Sequence, residues 1–425
     1  MNPLRVRLFR YTRPPRSRPQ RLHGSRRPRP GREAEPRPAD GPPRSRTGTG
    51  AGGRRGRRDV HTGVVNRTPD PALRIRELAI PEAVGADGWS DFLALTAIGD
   101  AVEAEGTGTA DLGFPAEASL GEWQQREHSP RRAFLAERDG RPVGSGELHW
   151  STAADDDAAW LSISVLPAER GRGVGSALME RLSAEAAGLG RRVLQTWTAH
   201  RADASGPRLA ALSGAGSVPS ADPGSRRLAA RGWSLEQVER VSVARLPLDR
   251  EATAARRKAA SHHAPGYDLL HWCGATPEEW IEDLLLLRSR MSVQAPSAGL
   301  SVPEETWTRA RLAAHEHGAA AGGRRELTSA VLQRASGRLT GYCTVDVIPG
   351  RAALWGDTLV LPEHRGHRLG MLLKLDALEH LSLTAPDCRA VYTWNAEENR
   401  PMLAVNEAVG FTPVAHEGQW RKELS

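Results

Sequence analysis

The sequence predicts an α+β fold present twice: two tandem domains, each a mixed, mostly antiparallel sheet flanked by helices, behind a disordered Arg/Pro-rich N-terminal tail. Three observations carry this reading. One block is repeated: residues 159–180 read AWLSISVLPAERGRGVGSALME and residues 354–375 read LWGDTLVLPEHRGHRLGMLLKL. At a constant offset of 195, eight of 22 positions are identical: Trp160/Trp355, Val165/Val360, Leu166/Leu361, Pro167/Pro362, Arg170/Arg365, Gly171/Gly366, Gly175/Gly370 and Leu178/Leu373. Each block follows a hairpin pattern and precedes another strand pattern, so the order of elements repeats with it. The charge is also divided: residues 1–70 hold 19 Arg, no Lys and 5 acids, a net +14, and the remainder carries −7.

The chain divides into a tail (1–70), a first domain (71–247), a linker (248–264) and a second domain (265–425). Between residues 12 and 59 the only large apolar residue is Leu22, so the tail cannot bury enough surface to offset its ordering entropy. It reads as phosphate-binding, as a transit peptide, or as an extension from an upstream start with Val60, Val64 and Val65 as later starts. The last reading is favoured.

In the first domain, LRIRELAI (73–80) alternates as a strand, followed by helices near 88–104 and 119–127. RAFLAERDGRPVGSGELHW (132–150) is a hairpin with Asp139-Gly140 at its turn. A strand over 159–167, a helix over 173–189 and a strand over 191–199 follow. Residues 201–224 read as a mobile insertion, a short helix covers 225–231, and EQVERVSVARL (236–246) closes the sheet. In the second domain, YDLLHW (267–272) is a strand. A helix over 276–291 carries a capping box of Thr276 and Glu279. Then come a hairpin (329–348), the repeat block, the strand AVYTWN (390–395) and a helix ending at Val409-Gly410-Phe411.

Composition excludes several classes. Three scattered cysteines without a CxxC give neither a disulfide framework nor a zinc site, and point to a reducing, cytoplasmic setting. No run approaches 18 apolar residues, so no membrane span is expected. MNPLRVRLFR lacks the apolar core of a secretory signal. Nucleic acid finds support in the tail alone. The acidic body slightly favours a cationic small molecule.

The repeated block has the layout of a pyrophosphate cradle. A glycine-rich turn at a helix N-terminus aims free N–H groups and the positive dipole end at one point. Arg170-Gly171-Arg172-Gly173-Val174-Gly175-Ser176 suits such a ligand. A Walker loop would need Gly-Lys-Ser/Thr, and no lysine is present. A dinucleotide fingerprint would need glycine at Ser176 and a place on the first turn of a parallel sheet.

These residues resemble the GNAT acetyltransferases, whose signature is Q/R-x-x-G-x-G/A after a V-x-P strand end. Arg170-x-x-Gly173-x-Gly175 after Val165-Leu166-Pro167 matches it in full. Arg365-x-x-Arg368-x-Gly370 departs at one glycine. Thr393 to Asn399, followed by Gly410-Phe411, resembles the family's later motif. The resemblance spans residues 73–425 and implies tandem GNAT-like domains.

It further implies acetyl-CoA as donor and an amine as acceptor, without a metal. The donor would lie where the strands ending at Pro167 and near Thr198, or at Pro362 and Asn395, splay apart. The implied donor-binding residues are Val165 and Arg170, Gly171, Arg172, Gly173, Val174, Gly175 and Ser176 in the first copy. In the second they are Leu361, Arg365, Gly366, His367, Arg368, Leu369, Gly370 and Asn399. The positions where the family often places an acidic Tyr hold Leu228 and Asn406. Asp357, on the strand before the second loop, is the candidate base; its counterpart is Ser162. Trp160 and Trp355 read as core residues, and His364 and His367 lack a zinc-site pattern. The rival reading is a CoA-binding sensor or interaction protein with one or both copies inactive.

Overall fold

A computed structural model describes residues 72–124, 129–152, 156–303 and 305–424; the tail and its three readings lie outside them. One 12-stranded sheet runs through the described chain in the order β1-β2-β3-β4-β5-β14-β8-β13-β12-β11-β10-β9. The first copy supplies β1 (Leu73–Leu78), β2 (Arg131–Arg138), β3 (Arg141–Trp150), β4 (Ala158–Val165), β5 (Val193–Arg201) and β8 (Ser234–Arg245). The second supplies β9 (Tyr267–Cys273), β10 (Arg325–Gln333), β11 (Arg338–Val347), β12 (Ala353–Val360), β13 (Ala390–Ala396) and β14 (Thr412–Glu423). A separate hairpin, β6 (Arg208–Ala210) with β7 (Ser217–Pro219), orders the segment expected to be a mobile insertion.

The last strands are exchanged. EQVERVSVARL does not close the first copy's sheet: β8 lies between β13 and β14, antiparallel to both. β14, from the end of the chain, pairs with β5 from Ala415↔Arg201 to Glu423↔Val193. A strand shows backbone donors and acceptors at both edges, and local sequence cannot say which edge will fill them. The two copies therefore form one continuous sheet.

Helices cover both faces. In the first copy α1 (Trp89–Thr107) and α2 (Ala116–Gln124) share a core with Leu78, Ala133 and Leu135, while α3 (Val174–Gly188) packs Leu178 and Leu182 against Phe134, Leu148 and Leu161. α4 (Pro223–Ala230) is capped by Asp222, whose carboxylate accepts from the amides of Gly224 and Ser225. The linker holds α5 (Arg250–Ser261), capped by Asp249. The second copy repeats the arrangement with α6 (Ile281–Gln294), α7 (Arg309–Ala321), α8 (Leu369–Thr384) and α9 (Arg400–Val409). The expected capping box does not form. The Thr276 amide and hydroxyl both donate to Glu316 on α7, 2.9 and 2.7 Å away, and a 3-10 turn precedes α6.

The copies also exchange contacts across the sheet. Leu112 and Phe114, beyond α1, join a core with Val241, Leu354 and Tyr392, and the Tyr392 hydroxyl donates to Asp111 at 2.6 Å. Reciprocally, the segment after α6 reaches the first copy, where the Gln195 side chain donates to Ser301 O at 2.8 Å and accepts from its amide at 2.6 Å. Between α2 and α7 the backbones meet so closely that a Cβ at Gly121 would lie 3.0 Å from Gly318 O. Arg324, 3 % exposed, stands 3.1 Å from Glu122 of the other copy and donates to Asp346 at 2.5 Å.

Candidate active site

In each copy two parallel strands pair briefly and then part. β4 and β5 are in register only from Ala158↔Val193 to Trp160↔Gln195, and β12 and β13 only at Ala353↔Val391 and Leu354↔Tyr392. Beyond these rungs no backbone pairing joins the two strands, though in the first copy the Thr196 hydroxyl still donates to Leu161 O at 3.0 Å, and each cleft ends at a repeated loop.

The first loop opens α3. Gly171 and Gly173 have φ of 77° and 92°, the left-handed region that glycine adopts without a Cβ penalty. A Cβ at either position would meet no atom within 4 Å, so the concavity above them is open. The first helical donors are Ser176 and Ala177, both to Gly173 O at 3.0 Å. The amides from Arg172 to Gly175 thus precede the helix ladder and point from its positive end. Ser176 departs from expectation: its amide is committed inside the helix, leaving its hydroxyl as the group at the mouth.

Arg170 and Arg365 hold the same post. Their Nε atoms donate to Val165 O at 3.1 Å and Val360 O at 3.2 Å, and their outer nitrogens reach Glu105 on α1 and Gln294 on α6. Each pins its loop to the strand end and to the preceding helix. Arg172 lies 3.5 Å from Glu169.

The second loop opens α8. Gly366 has φ 88°, and Arg368 takes φ 56° where the first copy has Gly173. An arginine in left-handed backbone costs about 1–2 kcal/mol, and its exposed guanidinium stands at the loop. The Met371 and Leu372 amides bond Arg368 O, leaving those of Leu369 and Gly370 before the ladder. His367 Nδ1 lies 3.1 Å from His263 O, and His364 Nδ1 lies 2.9 Å from the Tyr267 hydroxyl, so these imidazoles pack around a tyrosine. Leu361 does not serve the cleft through its amide, which donates to Thr340 O across the hairpin at 3.0 Å. By the alternation of an antiparallel ladder the outward residue is Val360, the counterpart of Val165.

Asp357 stands on β12 at a bulge, where Thr344 of β11 faces both Gly356 and Asp357. The Asp357 amide donates to Thr344 Oγ1 at 3.1 Å. A bulge reverses side-chain facing. Trp355 therefore lies in the α8-side core beside Phe411, while Asp357 and Leu359 turn to the α6 side. The first copy has no register shift here, and Trp160 stacks on His149 instead. The repeated tryptophans thus face opposite sides of the sheet.

The Asp357 carboxylate accepts from the Tyr342 hydroxyl at 2.7 Å. Burial raises its pKa above the usual carboxylate value, opposed by the Arg288 cation and the Tyr342 bond. Burial and the Asp357 charge push Tyr342 well above 10. Arg288, 4 % exposed, lies over the Tyr342 and Trp307 rings and donates to Glu326 at 2.5 Å; Glu326 also bonds His315 at 3.0 Å.

Asn399 heads α9 without a side-chain cap bond, and Asn406 donates to Asn395 at 2.5 Å. Glu397 is a structural clamp: although burial opposes ionisation, His416 and Arg240 hold its pKa near 2. Sequence reasoning missed Arg227 and Arg231, which α4 brings to the first loop, 3.4 and 3.2 Å from Ser176 Oγ. Neither has a carboxylate partner among the described residues. No local pattern shows that α4 folds back on this turn. Among the described residues no group of three or more metal-binding side chains occurs.

A splayed parallel pair in front of a glycine-opened helix, present twice, defines a doubled GNAT fold. The model of the acetyltransferase (GNAT) family matches residues 104–205. A tandem GNAT protein from the clavulanic acid biosynthesis pathway is similar in structure, with TM-score 0.61 and 24% identity, over 83% of this chain and 98% of that one. A GCN5-related N-acetyltransferase from Sphaerobacter thermophilus aligns with TM-score 0.53 and 14% identity, over 84% and 97%. No curated protein matches the chain in sequence. The chain is thus a tandem GNAT protein in fold, with the family's sequence pattern in its first copy.

Proposed function

We propose that the protein is an N-acetyltransferase that moves acetyl from acetyl-CoA to a small-molecule amine by direct attack in a ternary complex. The two copies span 71–247 and 265–425, joined by 248–264, and the work is cytoplasmic. The observation that carries this reading is the sequence of groups along the second copy's cleft: free amides at 369–370, the open edge of β12 and a carboxylate turned in by the bulge. The cradle amides suit a pyrophosphate, and a strand-edge N–H suits the thioester oxygen as negative charge develops on it. Bound acetyl-CoA supplies the acyl group as an activated thioester.

The amine must lose its proton to be a nucleophile. Asp357 is placed to take it, directly or through a water, and burial makes its carboxylate a better base than an exposed one. Arg288 keeps the charged form within reach. Arg368 adds a side-chain cation for phosphate at the position Gly173 holds in the first copy. The sensor reading draws on two observations: Tyr342 already bonds Asp357, and neither Leu228 nor Asn406 can act as an acid.

Thiol release from acetyl-CoA with a panel of amines, on the full chain, separates the readings. The enzyme reading expects release; with the first copy's loop closed by Gly175→Glu, Asp357→Asn should lower kcat by roughly 10²-fold or more while CoA affinity by calorimetry changes little. CoA binding without release by the wild type would leave the sensor.

A further inference from the structure

We propose that the first copy carries its own proton acceptor, Glu147, delivered from β3 instead of β4. This rests on the acyltransferase reading and extends it to a second reaction centre. At constant sequence offset the counterpart of Asp357 is Ser162, which leaves the first copy with a hydroxyl where the second has a carboxylate. The strand register changes that conclusion.

Val165 and Val360 mark the same level, opposite Gly144 and Gly341. Three residues back along β4, Ser162 lies directly opposite Glu147. Three residues back along β12, Asp357 lies at the bulge opposite Thr344. The two rungs are one rung with its groups transposed: carboxylate on β3 and hydroxyl on β4 in the first copy, hydroxyl on β11 and carboxylate on β12 in the second. Side chains directly opposite in an antiparallel pair have Cβ atoms about 5 Å apart, so either strand can bring a carboxylate to this spot.

Facing and depth agree. A Cβ on Gly146 would touch Leu178 and Leu182 of α3, so Glu147 belongs to the other face, toward α1. That is the side Asp357 takes in its own copy, toward α6. Glu147 is 7 % and Ser162 8 % exposed. Their rung lies two residues past Trp160↔Gln195, where β4 and β5 cease to pair, on the way to the Gly171–Gly175 loop. His149 lies two residues along the same face, and Glu103 is buried on α1, which packs on β3. In the step assigned to Glu147, a neutral amine attacks the thioester carbon and the nitrogen sheds one proton to Glu147. The C–S bond breaks, and the proton passes on to the leaving thiolate. The products are the amide and CoA thiol.

The test uses the full chain and blocks one donor cradle at a time. Gly175 and Gly370 have ordinary backbone, and a Cβ at either makes no close contact. Gly175→Glu and Gly370→Glu therefore place a repelling carboxylate in the first and second cradle without backbone strain. Thiol release is measured across the amine panel. With the second cradle blocked by Gly370→Glu, release should persist, and adding Glu147→Gln should lower kcat by roughly 10²-fold at little change in KM. Glu147→Asp in the same background should recover part of the rate lost in Glu147→Gln. Unchanged kcat on adding Glu147→Gln overturns the proposal. So does complete loss of release in Gly370→Glu when Gly175→Glu keeps the wild-type rate, a result that spares the acyltransferase reading. A wild type that binds CoA and releases no thiol overturns both.

Discussion

Lys374 offers a stringent test of how the second core is built. It is 1 % exposed on α8, with its Nζ 3.8 Å from the Trp355 ring centroid and 5.4 Å from that of Phe411. Burial pulls its amine from 10.5 down to about 7, with the nearby Cys343 opposing. The unfolded chain therefore binds more protons than the folded one between about pH 7 and 10.5, and stability rises with pH across that window. The penalty is full below pH 7 and gone above 10.5. A fall of this size corresponds to roughly 4–5 kcal/mol. Attraction of the cation to the Trp355 face returns about 2 kcal/mol. Lys374→Met keeps the length, removes the titration and allows a sulfur–aromatic contact. Its expected effect is a stabilisation of about 2–3 kcal/mol at pH 6.5, read by urea unfolding of both proteins. The difference should narrow by at least about 1 kcal/mol at pH 9.5. Loss of stability at pH 6.5, or a difference that does not change with pH, would refute the reasoning.

Three further outcomes follow from named contacts. Arg368→Gly should relieve the left-handed backbone and raise stability by about 1 kcal/mol. It should also weaken CoA binding to the second copy at low salt, measured by calorimetry in the Gly175→Glu background. Arg324→Met leaves Glu122 and Asp346 without their buried cation, and should cost about 3–5 kcal/mol in chemical denaturation. His200 is held down to about 4, chiefly by burial. As pH falls from about 6.5 to 4, the unfolded chain takes up a proton that the fold refuses, so stability should drop by roughly 3 kcal/mol. His200→Gln should flatten that acid limb in a thermal-melt series.

The local elements were legible in the sequence because local patterns specify them. The Asp139-Gly140 turn and the helix opening at Gly173 follow from residue types at fixed spacing, while the splayed parallel pair before each loop was implied by the family resemblance. Helix α7 was missed because its alanine-rich run, RARLAAHEHGAAA, has little amphipathic contrast. The exchange of β8 and β14 was missed for another reason. β8 can serve as a closing strand in either position, residues 412–423 carry no clear alternation and were not read as a strand, and only the tertiary partner decides. The facing of Trp160 and Trp355 depends on a single bulged residue, which a constant offset of 195 conceals. Arg227 and Arg231 reach the first loop through the return of α4, which depends on chain path and not on spacing.

The exchange of final strands has a consequence for how the chain comes into being. On a ribosome the first copy emerges first, yet β14, the neighbour that β5 requires, is made more than 200 residues later. Until residues 412–423 appear, the first copy presents an open sheet edge at β5, and β8 lacks both partners until β13 is made and one of them until β14 is. Vectorial synthesis therefore cannot finish one copy before the other, and the closing contacts span more than 200 residues, as Arg201↔Ala415 does. Such distant pairing is slow to find, and the waiting edges are exposed to pairing with other chains. Synthesis of residues 412–423, rather than completion of the first copy, is the point from which this fold can close.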